Sequence, residues 1–340
     1  MPALLCRLPT QPTNPAMRRI RQLSHWLVAA CCCLMVLPAA GTAQQGPAAS
    51  ADTAASPPLK RPFLAPALQP NPKRIWLVGG GVGAVYVASY SYLAAVWYRD
   101  AHQSQFSWFN DWPEWQQMDK IGHAYGAYQE SRIMMSLLRW SGVPRRKWLL
   151  WGGLSGFIMQ GPVEILDGFA DKWGASWQDL AFNAAGSALA VGNELAFGEQ
   201  ALQLKFSWWP SPYPDEHPEV LGTGFSEQLL KDYNAQRYWL STRLQALPGL
   251  KRWEALPPWL CFSVGYSGNG MIGGYGEDSP RAIARREYRQ YFVSLDVDWT
   301  RIETRHRGLK LLFHGLNMIK LPFPTLEMNR NAVRFHPVFF

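Results

Sequence analysis

Trp208-Trp209-Pro210-Ser211-Pro212-Tyr213-Pro214 divides this chain of 340 residues into two unlike halves. Each proline removes a backbone donor and fixes φ, so the stretch can belong to no helix interior and no central strand. Upstream, apolar residues run in long helical segments. Downstream the period falls to two: Val293, Leu295, Val297 and Trp299 alternate with Phe292, Ser294, Asp296 and Asp298, the repeat of a half-buried strand. Leu260 to Tyr266 and Ala332 to Phe340 read the same way. The expected fold is α+β: a four-helix bundle, partly membrane-embedded or membrane-associated, followed by a small antiparallel sheet. Phe340 ends an alternating strand in the manner of outer-membrane barrels, but three or four strands close no barrel alone. The sheet is expected to pack on the helices or to pair with another chain.

The first helical segment, Ile75 to Tyr98, holds 24 residues without a charge. That meets the requirement of about 20 apolar residues for a membrane crossing, with Trp76, Trp97 and Tyr98 placed as interfacial aromatics would be. Gly79, Gly80, Gly81 and Gly83 equally suit a closely packed interior helix of a soluble bundle. Three more helices are expected at Met118 to Trp140, Arg146 to Asp167 with a kink at Pro162, and Ser176 to Phe197. A mean hydropathy of −0.17 argues against a fully polytopic protein. The layout is then a helical hydrophobic domain over 73–205, a Pro-rich boundary with an amphipathic stretch (Glu227 to Leu247) over 206–257, and a β-rich domain over 258–340.

At the other end, Arg18, Arg19 and Arg21 precede an apolar run from Leu23 to Leu37 and the small residues Ala39 to Ala43. Basic region, apolar region and small-residue zone make an export signal over 1–43, with Met17 as an alternative start and the cut before Gln44. A rival reading takes Val28-Ala29-Ala30-Cys31 as a lipoprotein box, with Cys31 lipidated. Residues 44–72, rich in Ala and Pro, read as a tether. Removing 1–43 takes away Arg7, Arg18, Arg19 and Arg21 and no acid, so the net charge falls from +8 by four to +4. No run of basic residues interleaved with aromatics suggests nucleic acid. Only Cys261 of the five cysteines lies beyond the signal, which excludes an intrachain disulfide or a thiolate metal site there.

Polar residues recur on the apolar helices. Asp119 and His123 stand one turn apart, Glu164 and Asp167 share a face, and Asp179 and Asn183 lie one turn apart after Ser176. Ser176 with Asp179 matches a helix-capping pair, and Lys120 is expected to neutralise Glu164 or Asp167. One lysine cannot satisfy four carboxylates, and capping does not explain Asn183. Asp119, Lys120, His123, Glu164, Asp167, Asp179 and Asn183 are therefore the candidate site, with His123, Asp119, Glu164 and Asp167 as ligands for a divalent metal.

In order and spacing, Asp119-Lys120-x-x-His123, Glu164-x-x-Asp167 and Ser176-Trp177-Gln178-Asp179 with Asn183 and Gly186 resemble the successive motifs of the YfiM-like predicted periplasmic lipoproteins. More distantly they resemble the membrane-embedded VanZ-like proteins. The resemblance spans about 118–190, while Asp232 to Ser241 and Lys320 to Glu327 look like stretches of longer members with an added C-terminal sheet. It implies an envelope location and no particular activity.

The expected function is that of a membrane-associated structural or interaction protein of the cell envelope, facing the periplasm and offering the C-terminal sheet to an envelope partner. The alternative is a metal-dependent or acid/base enzyme acting on an envelope lipid or cell-wall precursor. No GxSxG or HExxH motif is present. A proton or ion relay through the helices ranks third, since four helices without a paired repeat make a poor transporter.

Overall fold

The computed structural model describes residues 63–98, 105–171, 173–247, 249, 255–275, 279–285 and 287–340. The export signal and the tether up to residue 62 lie outside the described residues.

Helix α1, Pro72–Val96, starts where Asn71 accepts a hydrogen bond from the Arg74 amide (3.2 Å) and Pro72 takes the first helical position. Only 11% of its most apolar stretch is buried, which separates it from the interior helix of a soluble bundle. It is fastened at three places. Arg74 donates to the carbonyls of Ala65 (2.7 Å) and Trp140 (2.9 Å), and the Tyr86 and Tyr90 hydroxyls donate to that of Met159.

Helices α2 (Met118–Trp140), α3 (Gly153–Gly168) and α4 (Trp177–Ala196) pack mutually, and α1 makes only slight contact with α2. An α-turn at Arg145–Lys147 and a π-turn at Trp148–Gly152 lead without a break into α3. The assigned helix runs through Pro162, so the marked irregularity sits at 148–152 rather than at the proline. Small residues let the axes approach: a Cβ at Gly156 would overlap the Ala127 carbonyl, and one at Gly186 that of Ala124. Polar groups join the helices, since Ser131 Oγ donates to the Gly153 carbonyl (2.7 Å) and meets Ser187 Oγ at 3.0 Å. The buried side chains of these helices are largely polar, while Leu150, Trp151, Leu154 and Trp177 face outward.

The β half is a six-stranded antiparallel sheet in sequential order: β1 Leu202–Trp208, β2 Gln236–Arg243, β3 Leu260–Asn269, β4 Tyr288–Val297, β5 Phe323–Asn329 and β6 Val333–Phe339. It is larger than the three or four strands expected. The stretch read as one amphipathic element is in fact α5 (Phe225–Lys231) followed by β2. Helix α6, Arg307–Leu316, connects β4 to β5. The two halves join where α2 meets β1 and β2: Tyr125 packs against Phe206 and Tyr238, and Gln129 donates to the Leu204 carbonyl (2.7 Å). Asn193 holds both backbone polar groups of Leu202 like a neighbouring strand.

Candidate functional site

One turn of α2 carries Asp119, Lys120 and His123, and the start of α4 brings Asp179 and Asn183 against it. Ser176 caps α4 as expected: its Oγ accepts from the Asp179 amide at 3.2 Å. The same serine is a junction, because its amide donates to Glu164 Oε2 (3.0 Å) and its hydroxyl to Asp111 Oδ1 (2.8 Å). A cap has thus been recruited to place three acids.

His123 lies at the centre. Its Nδ1 stands 3.1 Å from Asn183 Oδ1 and 3.7 Å from Glu164 Oε1, while Nε2 faces Asp119 Oδ1 and Asp179 Oδ1, each at 3.9 Å. One ligand atom from each of Asp119, His123 and Asp179 lies within 4.8 Å of the others. This revises the ligand set drawn from spacing. Asp179 replaces Asp167, and Glu164 backs the other edge of the imidazole. Asp167 stands in the cleft wall, where it accepts from the Tyr98 hydroxyl (2.6 Å) and Trp173 Nε1 (2.5 Å).

Lys120 is buried and meets neither of its expected partners. Its ammonium contacts Asp111 Oδ2 at 2.5 Å, Asp179 Oδ1 at 2.8 Å and Asp119 Oδ2 at 3.0 Å. Asp119 Oδ1 accepts from Tyr233 at 2.7 Å, so the β half closes one side. Asp111, Glu114 and Tyr233 were not marked by sequence reasoning. The first two sit in an aperiodic loop, and Tyr233 is more than a hundred residues from its partner. That loop ends in Trp115, Gln116 and Gln117, three successive non-glycine residues at φ 51, 52 and 58°. Left-handed backbone costs about 1–2 kcal/mol per residue, and here the strain is held at the wall of the site.

Six carboxylates, Asp111, Glu114, Asp119, Glu164, Asp167 and Asp179, thus face one ammonium and one imidazole. Burial pushes Glu164 up to about 8 and Glu114 to about 7. Asp179 is likewise raised by burial and by Asp119. For His123 burial disfavours the cation, yet Asp119, Asp179 and Glu164 outweigh it and raise the imidazole to about 9. Asp119 goes the other way, since Lys120 and then His123 overcome its burial and lower it. Glu164 Oε1 and Asn183 Nδ2 are buried without a hydrogen-bond partner. Such groups are costly unless something polar meets them. The cluster opens into a cleft of about 860 Å³, whose other walls include Leu93, Trp97, Leu229, Leu230 and Tyr238.

Fold and site together describe an α+β protein with a buried carboxylate–histidine centre opening on a partly apolar cleft. Residues 105–193 match a family described as predicted periplasmic lipoprotein (DUF2279). The matched stretch carries Asp111, Asp119, His123, Glu164, Asp179 and Asn183, and its description fits an exported cell-envelope protein. No curated protein and no solved structure matches the chain at a significant level.

Proposed function

We propose that this is a membrane-associated cell-envelope protein whose centre holds a divalent cation through His123 Nε2, Asp119 and Asp179 and presents it to an amphiphilic envelope molecule in the adjoining cleft. One observation carries the reading: three ligand atoms from two helices converge within 4.8 Å while buried carboxylate charge exceeds the bases present. Imidazole with carboxylates suits zinc, manganese or iron rather than a purely oxygen-seeking ion. With the Asn183 carbonyl oxygen facing it, His123 Nδ1 carries the proton and leaves the Nε2 lone pair for the ion, the usual way an outer partner orients a ligand. A bound cation of this kind lowers the pKa of coordinated water and polarises phosphoryl or carbonyl oxygens. Glu164, held near neutrality, would exchange protons beside it. Mixed polar and apolar cleft walls, opening next to α1, suit a molecule with a charged head and an acyl or isoprenoid tail.

The test is metal analysis of protein purified without chelator, followed by calorimetric titration of chelator-treated protein with Zn²⁺ and Mn²⁺. One ion per chain is expected, lost in His123→Ala and in Asp179→Asn variants that remain folded by circular dichroism. Absence of stoichiometric binding by either ion, or binding undiminished in both variants, overturns the reading.

A further inference from the structure

The register of the sheet sorts its side chains in an unusual way. One row crosses all six strands as Leu204, Leu240, Val264, Val293, Leu326 and Phe335. The row beside it reads Phe206, Tyr238, Tyr266, Tyr291, Met328 and Val333. The opposite face carries Gln203, Ser241, Ser263, Ser294 and Thr325 in one row, with Lys205, Trp239, Phe292 and Glu327 in the next.

In water the apolar face of a sheet turns inward. Here the polar face is the buried one. Lys205 and Asp296 are fully enclosed and paired at 2.7 Å, Ser241 meets Ser263 at 2.7 Å and Asp296 at 2.9 Å, and Thr325 donates to Ser294 at 3.0 Å. The sheet is curled around these groups. Residues 318–320 bond to Phe206 on the outer edge of β1, and Phe339 packs inside against Phe292 and Trp239. Helix α2 covers the apolar face over β1 and part of β2, and the Glu114–Gln117 turn covers Tyr266 on β3, whose hydroxyl donates to the Gln116 carbonyl. Among the described residues of β3 to β6 this face is exposed at Val264 (42%), Leu295 (42%), Tyr291 (50%) and Phe335 (67%), while Val293 and Met328 are half-buried.

We infer that this outer face of the sheet rests in the hydrocarbon edge of an anionic lipid bilayer. A solvent of acyl chains reverses which face is stable outside, and it leaves a polar interior that must be hydrogen-bonded, as this one is. Occupancy by lipid is favoured by a second exposed apolar element in the same half of the protein. Helix α6 exposes Leu309, Leu311 and Leu312 beside Arg307 and Lys310, with Arg305 just before it, the composition of a helix lying in the plane of an anionic membrane surface. The six strands seat on one leaflet rather than form a spanning pore. The inference is independent of the cation reading, since Val264, Tyr291, Leu295 and Phe335 lie outside the cleft, which this face reaches only at Phe206 and Tyr238.

The test places an environment-sensitive fluorescent amino acid at Val264, Leu295 or Phe335 of the full chain, with exposed Asp215 as the reference position. Each protein is reconstituted in phosphatidylglycerol-containing vesicles with and without bromine on the acyl chains. Expected are a blue-shifted emission and strong quenching by brominated chains at 264, 295 and 335, with neither at 215. Emission at the three sites that matches position 215 overturns the inference. So does a blue shift without bromine quenching, which would report a second copy of the chain or a protein partner on this face. Because α1 could anchor the chain by itself, the local quenching and not flotation is the deciding measurement.

Discussion

His123 Nδ1 lies 3.1 Å from Asn183 Oδ1, a contact between α2 and α4 that leaves Nε2 facing Asp119 and Asp179. Asn183 is a positioning residue, acting through the ring that it orients. Asn183→Ala should weaken cation binding by about 10–100-fold while leaving stoichiometry at one. Calorimetry with Zn²⁺ reads both quantities, and an affinity equal to the parent would show that the ring is oriented by something else.

The pH dependence of stability follows from the buried acids. Glu164 titrates at about 8 in the folded protein against an ordinary 4.5, so its contribution is complete below pH 4.5 and is lost as pH rises to about 8. His123, raised from 6.5 to about 9, has the same sign: its contribution is complete below pH 6.5 and lost through pH 9. Asp119 opposes them, being lowered, and its contribution disappears as pH falls through the acid range. Cation-free protein should therefore melt at progressively lower temperature from pH 5 to pH 9. Glu164→Gln should flatten the part of that slope below about pH 8, and saturating Zn²⁺ should raise the melting temperature most at the alkaline end. A melting temperature that climbs across this range would contradict the charge balance described for the site.

Lys205 and Asp296 form a fully buried pair inside the sheet. Lys205→Met leaves the Asp296 carboxylate without its counterion, a loss of about 3–5 kcal/mol. Denaturant unfolding of the single variant, and of a double variant that also carries Asp296→Leu, separates the cost of an orphaned charge from the worth of the pair. The double variant should recover most of the stability. If both variants unfold at the same denaturant concentration, the pair itself and not the stranded charge is what matters.

Gly186 allows α4 to touch α2, since a side chain there would meet the backbone of Ala124 rather than a movable group. Gly186→Val should destabilise the protein by about 1–3 kcal/mol through overpacking, and it should also loosen the site by moving Asn183 away from His123. Thermal melting gives the first effect and cation affinity the second. Gly192→Ala is the control: the same helix has open space at that position.

Tyr233 ties the β half to the centre through Asp119 Oδ1. Tyr233→Phe removes one hydrogen bond to a carboxylate, worth about 1.5–3 kcal/mol, and raises the Asp119 pKa by withdrawing a donor from its charged form. The acid-side loss of stability should start at a higher pH in this variant than in the parent.

Local chemistry made much of this chain legible in advance. The bounds of α2, the Ser176 cap of α4, and strands β3, β4 and β6 follow from periodicity and turn residues, which act over a few positions. Of the seven polar residues named for the site, Asp119, Glu164, Asp179 and Asn183 stand around His123, Lys120 pairs with Asp119 and Asp179, and Asp167 bonds elsewhere, to Tyr98 and Trp173. Their pairing was a different matter. Lys120 met Asp111, Asp119 and Asp179 instead of Glu164 or Asp167, since the contacts of a lysine depend on loops and helix rotations that spacing does not encode. Strands β1 and β2 were hidden by their neighbours, one run into the end of the helical half and the other into an amphipathic stretch.

By itself, then, the sequence determined the long helices, strands β3, β4 and β6, and that charged groups sit among apolar ones, because hydrogen-bonding geometry and side-chain period are properties of neighbouring residues. Only the tertiary structure decided which side of each element is inside. Alternation along β4 is equally consistent with Val293 and Leu295 inward or with Phe292, Ser294 and Asp296 inward, and the fold encloses the latter set. Burial is a property of what packs opposite, and in this protein the groups packed opposite are Lys205, Ser241 and Ser263 on other strands, brought there by long-range register.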